Sequence, residues 1–114
     1  MNSIEKGLRG EAIVQEYLRE KGYRILERNY RFRHREVDII AGKEELVAFV
    51  EVKMRSEDDF GRGFEAVSEM KKRNIISVAR HYIQRHNLYD CNVRFDIASL
   101  DGGVLHYFEN AYGV

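Results

Sequence analysis

From Ser3 to about Lys21 the apolar positions recur with the period of a helix. At roughly 100° per residue, Ile4, Leu8, Ala12, Val14 and Leu18 fall on one broad stripe. Ser3 stands where a capping residue belongs, Glu5 sits near the positive end, and Gly22 is a stop signal. Glu11 falls near the middle of the stripe, where an unpaired carboxylate is costly to bury, so it needs a partner. Tyr23 to Tyr30, Glu36 to Ala41 and Leu46 to Met54 read as strands, with a turn over Gly42 to Glu45. The segment Leu46 to Lys53 is apolar through most of its length, which suits a central strand covered on both faces.

Ser56 to Gly63 is polar and glycine-bearing and reads as a loop. A long helix from about Glu65 to His86 follows, with Val67, Met70, Ile75, Val78, Ala79 and Tyr82 as its apolar side. Strands over Asn92 to Ala98 and Val104 to Phe108 flank the turn signal Asp101-Gly102-Gly103. Helix, three strands, helix and two strands imply an α/β layer with helices packed on a mixed sheet. No repeat or linker divides the chain, so residues 1–114 read as a single domain.

Composition narrows the class. With 44% hydrophobic and 33% charged residues the chain is an ordinary globular mixture. A lone cysteine, Cys91, excludes an internal disulfide and a Cys-rich zinc site. No apolar run approaches the ~20 residues of a membrane span, and Met1 to Gly10 lacks the apolar core of a secretory signal. A soluble, cytoplasmic protein without a membrane partner is the expectation.

The net charge of zero hides segregation. Residues 19–35 carry +5, residues 36–59 carry −5 and residues 71–86 carry +5. Two basic segments flanking an acidic one suit a polyanion held over a metal site, although solvated faces explain charge runs as well.

The acidic segment contains the chemistry. Glu51 and Lys53 are two apart on a strand and share a face, as do Glu36 and Asp38 on the strand before it. If those strands form a hairpin, Asp38 approaches Glu51. Two carboxylates and an ammonium then cluster at the end of an apolar sheet. Carboxylate oxygens are hard ligands suited to Mg²⁺ or Mn²⁺, and such a cation can polarise a phosphoryl oxygen and acidify water. The alternative is a surface hairpin whose charges pair across strands.

Asp38 followed by Glu51-Val52-Lys53 resembles the D…ExK core of the restriction-endonuclease-like, or PD-(D/E)xK, nuclease superfamily. More narrowly, the chain resembles the uncharacterised YraN-like family assigned to it. The similarity runs through Gly10-Glu11, Arg28-Asn29-Tyr30-Arg31, Glu36-Val37-Asp38-Ile39-Ile40-Ala41 and Phe49-Val50-Glu51-Val52-Lys53-Met54-Arg55. It continues through Phe60-Gly61, Val67, Lys71, Arg94-Phe95-Asp96 and Asn110-Ala111-Tyr112. The resemblance implies a mixed four- to five-stranded sheet flanked by α-helices and a divalent-metal-dependent endonuclease acting on DNA phosphodiesters, at branched or junction structures. In it Asp38 and Glu51 are metal ligands and Lys53 is the catalytic lysine. The Gly-Glu of the first helix also resembles Holliday-junction resolvases, which makes Glu11 an outer or additional acidic ligand; a salt bridge to an arginine is the other reading. A non-catalytic nucleic-acid-binding module that retains the nuclease fold is the alternative function. The chain departs from the family pattern at Val37, where the superfamily has proline, at Arg35, where glycine is usual, and at Lys72, where glutamine is frequent.

Arg31, Arg33 and Arg35, interleaved with Phe32, and Arg55, Lys71 and Lys72 are candidate nucleic-acid contacts. An exposed hairpin tip and a solvated helix face are their plainer readings, with Glu57 or Asp58 as a partner for Arg55. Asp96 alternates with apolar neighbours and reads as a structural hydrogen-bonding group. His81, His86 and His106 lack ligand spacing, and Cys91 lacks a general-base partner. A homodimer would help a junction enzyme engage symmetric strands.

Overall fold

The computed structural model describes residues 2–55 and 68–113. Helix α1 (Ser3–Glu20) is followed by β1 (Arg24–Phe32), β2 (Arg35–Lys43) and β3 (Leu46–Arg55). Helix α2 (Glu69–Arg85), β4 (Asn92–Asp101) and β5 (Val104–Tyr112) complete the chain. The strands form one sheet in the order β1-β2-β3-β4-β5. All neighbours are antiparallel except β3 and β4, which run parallel and so need the crossover that contains α2. This mixed five-stranded α/β sheet is consistent with the restriction-endonuclease-like fold. No described helix is long and apolar enough to cross a membrane.

The central position of β3 explains its apolar run. Ala48 and Val50 face a core that includes Val14 and Leu18 of α1, whereas Val47 and Phe49 face one that includes Ile75, Val78, Ala79 and Tyr82 of α2. Burying an aliphatic or aromatic side chain contributes roughly 1.5–3 kcal/mol, so two-sided cover rewards apolar residues at successive positions.

Several boundaries differ from expectation. The cap of α1 is Asn2, whose side chain accepts from Glu5 N at 2.8 Å, rather than Ser3. Of the predicted stripe only Val14 and Leu18 are buried, while Ile4, Leu8 and Ala12 are exposed. The helix meets the sheet from Gly10 onward, where an added Cβ would strike the Met54 sulfur, and its first two turns lie beyond that contact. Helix α2 starts at Glu69, capped by Ser68; Met70 in its first turn is exposed, and the expected start at Glu65, with Val67, Phe60-Gly61 and the Ser56–Gly63 loop, lies outside the described residues. Strands β1 and β2 extend to a two-residue turn, Arg33-His34, both at positive φ (50° and 66°). Such a turn normally advertises itself with Asn or Gly. Here Phe32 stacks on His81 of α2 at 3.8 Å and Arg33 lies over the Phe32 ring, so tertiary contacts hold the backbone conformation.

Asp96, fully buried, organises the β4–β5 end. Arg94 donates to both of its oxygens, with Nε 2.9 Å from Oδ1 and Nη2 2.8 Å from Oδ2; the Tyr107 hydroxyl donates to Oδ2 at 2.6 Å. A bulge opposite Asp96 carries left-handed Asn110, whose backbone N–H donates to Oδ1 at 2.9 Å. The structural role read from the sequence holds. Asp96→Ala should lower unfolding free energy by about 3–5 kcal/mol, because Arg94, Tyr107 and the Asn110 N–H lose their shared acceptor. Urea denaturation measures this; a loss under about 1 kcal/mol would show that these groups find other partners.

Candidate active site

The site forms where β2 parts from β3. Their pairing ends at Ile39 opposite Val50. One residue further, Asp38 Oδ2 accepts a hydrogen bond from the Val52 backbone N–H at 2.8 Å, so a side chain takes the place of a ladder carbonyl. On the β1 side, Asn29 adopts a left-handed conformation at φ 51°. Side-chain alternation slips there. Ile39 packs into the α1-side core, yet Val37, two residues away, packs into the α2-side core. Strict alternation would put both on one side. The expected common face for Glu36 and Asp38 therefore does not form. Glu36 pairs with Arg31 at 2.7 Å, and Asp38 is directed to the gap beside β3.

Glu51 is only 6% exposed and lies on the α2 side of β3. Its Oε1 is 2.8 Å from Lys71 Nζ, while its buried Oε2 has no donor among the described residues, and Glu51 bonds the Asp38 carboxyl when the pair holds a proton. Burial pushes the Glu51 carboxyl from its ordinary 4.5 up to about 7, the Asp38 charge pushes the same way, and Lys71 opposes both. Asp38 is also raised, chiefly by burial, against the Val52 N–H, Glu51 and Lys71, which favour its charged form. Both carboxyls are raised and bond each other, so the retained proton belongs to the pair.

Lys53 lies two residues beyond Glu51 and is half-buried. Burial lowers its pKa, as do the Arg55 and Lys71 charges, against the attraction of Glu51. Glu11 approaches from α1. Burial raises its pKa, a side-chain bond to Asn29 lowers it, and the Asp38 and Glu36 charges raise it further. The Asp38 charge acts on Glu11, and so, in the opposite sense, does the Arg28 charge, although no Glu11–arginine ion pair within 4 Å is found among the described residues.

The buried, unpartnered Oε2 beside a second carboxylate is a donor set that fits a hard divalent cation. Asp38 and Glu51 are the residues that could hold one. No group of three His, Cys, Asp or Glu side chains is gathered to metal-binding distance among the described residues, so Glu11 stands outside the pair. A cavity of about 600 Å³, lined by residues that include Tyr23, Lys43, Asn92 and Arg94, opens at the opposite, Leu46 end of β3.

The basic candidates are dispersed. Arg31 is bound to Glu36, Arg33 lies at the hairpin tip, and Arg35 donates to the Ser77 hydroxyl at 2.8 Å. Arg55 has a buried Nε without a partner among the described residues, and its suggested partners Glu57 and Asp58 lie outside them. Lys72 pairs with Glu69 at 3.1 Å. Lys71, read from sequence as a phosphate contact, is instead within the carboxylate cluster. A signal for this was available: a lysine in the first turn of a helix faces the positive end of the dipole and calls for a nearby acid.

The family model for "Uncharacterised protein family UPF0102" matches residues 10–100. A UPF0102 protein of Alkaliphilus metalliredigens is 44% identical over 106 residues, covering 90% of this chain and 93% of that one. One from Clostridioides difficile is 48% identical, covering 85% of each chain, and one from a Sulfurihydrogenibium species is 36% identical over 114 residues, covering 100% of this chain and 99% of the relative. The chain belongs to the UPF0102 family.

The raised Glu51 pKa has a stability consequence. The folded state holds this proton more tightly than the unfolded chain, so the group's contribution is complete below 4.5 and is lost as pH rises through about 7. In metal-free buffer the protein should lose up to roughly 3 kcal/mol across that window, at about 1.4 kcal/mol per unit. Glu51→Gln should flatten the profile measured by thermal unfolding. Parallel profiles for the two proteins would contradict the assignment.

Proposed function

We propose that this protein is a divalent-metal-dependent endonuclease that hydrolyses DNA phosphodiesters, with branched or junction DNA as its preferred substrate. Asp38 and Glu51 hold Mg²⁺ or Mn²⁺, Lys53 assists the reaction, and Glu11 is an outer carboxylate. The observation that carries the reading is a pair of adjacent buried carboxyls, Asp38 and Glu51, in which Glu51 Oε2 has no donor among the described residues and Glu51 and Asp38 bond each other only while the pair holds a proton. Burial of such a group is costly, and it is retained here at the mouth of a gap between strands.

A bound cation supplies Lewis acidity toward a phosphoryl oxygen and lowers the pKa of water. The protein supplies position and proton control. The Val52 N–H fixes Asp38, and Lys71 fixes Glu51, so both carboxylates are held before substrate arrives. Lys53 gives up a proton more readily than a surface lysine, because burial and its cationic neighbours disfavour the charged form. It can donate to the charge that develops on the phosphate or protonate the leaving oxygen. Glu11, held by Asn29, is placed to accept from water near Asp38.

A second reading is a non-catalytic nucleic-acid-binding module. The ion pair between Lys71 and Glu51 favours it, since the ammonium already offsets part of the carboxylate charge. Incubation with single-stranded, duplex, flap and four-way-junction DNA separates the two. The endonuclease reading expects cleavage with Mg²⁺ or Mn²⁺, abolished by EDTA. Asp38→Asn and Glu51→Gln should each reduce the rate about 100-fold or more, and Lys53→Met by a similar factor. Binding without cleavage, unchanged by EDTA or by Glu51→Gln, would establish the second reading instead.

A further inference from the structure

Near the N-terminal half of α2 the acids are already matched. Glu51 pairs with Lys71, Glu69 with Lys72, and Glu36 with Arg31. Arg35, Arg73 and Arg80 form no ion pair among the described residues. Arg73 and Arg80 line one groove of about 390 Å³ with Ile76 and Ser77. The guanidinium of Arg35 reaches this groove from β2 by donating to the Ser77 hydroxyl. Three cations thus converge on a groove where a neutral hydroxyl is the described hydrogen-bond acceptor.

We propose that this groove, on the solvent-facing side of α2, is a phosphodiester-binding subsite that holds a nucleic-acid backbone. The inference extends the nucleic-acid reading given above and rests on it for the identity of the polyanion. Helical spacing supports the geometry. Arg73 and Arg80 are seven residues apart, close to two full turns, so they share a face about 10 Å apart along the axis. That length exceeds the ~3.4 Å axial step of one DNA strand, so the two guanidinium groups meet different phosphates. Guanidinium groups present planar, bidentate donors matched to phosphate oxygens. Ile76 is half-buried against the α2-side core and keeps the groove floor fixed. Lys71, like the buried Ile75, Val78 and Tyr82, lies on the sheet-facing side of α2, so the groove faces outward, on the opposite side of the helix from the Asp38–Glu51 site.

Binding of labelled duplex DNA, measured by fluorescence anisotropy in EDTA across a salt series, tests this without requiring catalysis. Arg73→Ala/Arg80→Ala should weaken binding on the order of tenfold or more and reduce the log–log salt slope by about 0.9 for each lost contact. Arg73→Lys/Arg80→Lys should retain most of the slope, because charge is kept. Arg85→Ala, an exposed arginine on another face of α2, should bind like the parent. The proposal is overturned if the double alanine protein keeps the parent's affinity and slope, if Arg85→Ala weakens binding equally, or if the parent does not bind. Loss of cleavage with binding intact would instead count against the catalytic reading alone.

Discussion

Asp38 and Glu51 share a buried gap, where burial raises both carboxyls and the Asp38 charge raises Glu51 further, so the doubly charged pair is disfavoured unless a cation offsets it. Lys71 supplies one such charge through Glu51 Oε1; Oε2 is left over. The surrounding structure can be understood as what holds this frustrated pair in place. β3 is covered on both sides, so Glu51 is rigidly placed. β2 leaves β3 at Asp38, so a carboxylate can occupy a position that strand pairing would otherwise close. A cluster that is costly to assemble is characteristic of sites whose chemistry requires it.

The supporting network lies outside that cluster. Asp96 closes the β4–β5 end with four donor contacts, and β4 in turn aligns in parallel with the whole of β3. Buried charge is therefore used in two ways within one sheet. Asp96 has its acceptor capacity matched by an arginine, a tyrosine and a backbone N–H. Glu51 is incompletely matched. The contrast sets the structural acid apart from the one proposed to do chemistry, and it is a contrast of environment, since both residues lie on neighbouring central strands.

Much of this was legible in the chain. The apolar run of β3 placed Glu51 and Lys53 at the end of a buried strand, and the hairpin brought Asp38 to them. What was not legible arises from tertiary context. Alternation predicts a shared face for Glu36 and Asp38, but the left-handed Asn29 and the parting of β2 from β3 break it. Periodicity placed Ile4 and Leu8 with Val14 and Leu18, but it cannot tell where along its length a helix meets the sheet. The Arg33-His34 turn lacks the usual glycine because its conformation is held by the stack of Phe32 on His81. Lys71 belonged to a basic run, and only the packing of α2 shows that it faces Glu51.

If the carboxylate pair is a cation site, proton and metal compete for it. Isothermal titration calorimetry of Mn²⁺ near pH 6.5, repeated in buffers of different ionisation enthalpy, reads both binding and proton release. Mn²⁺ binding should expel up to about one proton from the wild-type protein, with both signals lost in Glu51→Gln. Binding without proton release, or binding unchanged by Glu51→Gln, would contradict the cation-site reading.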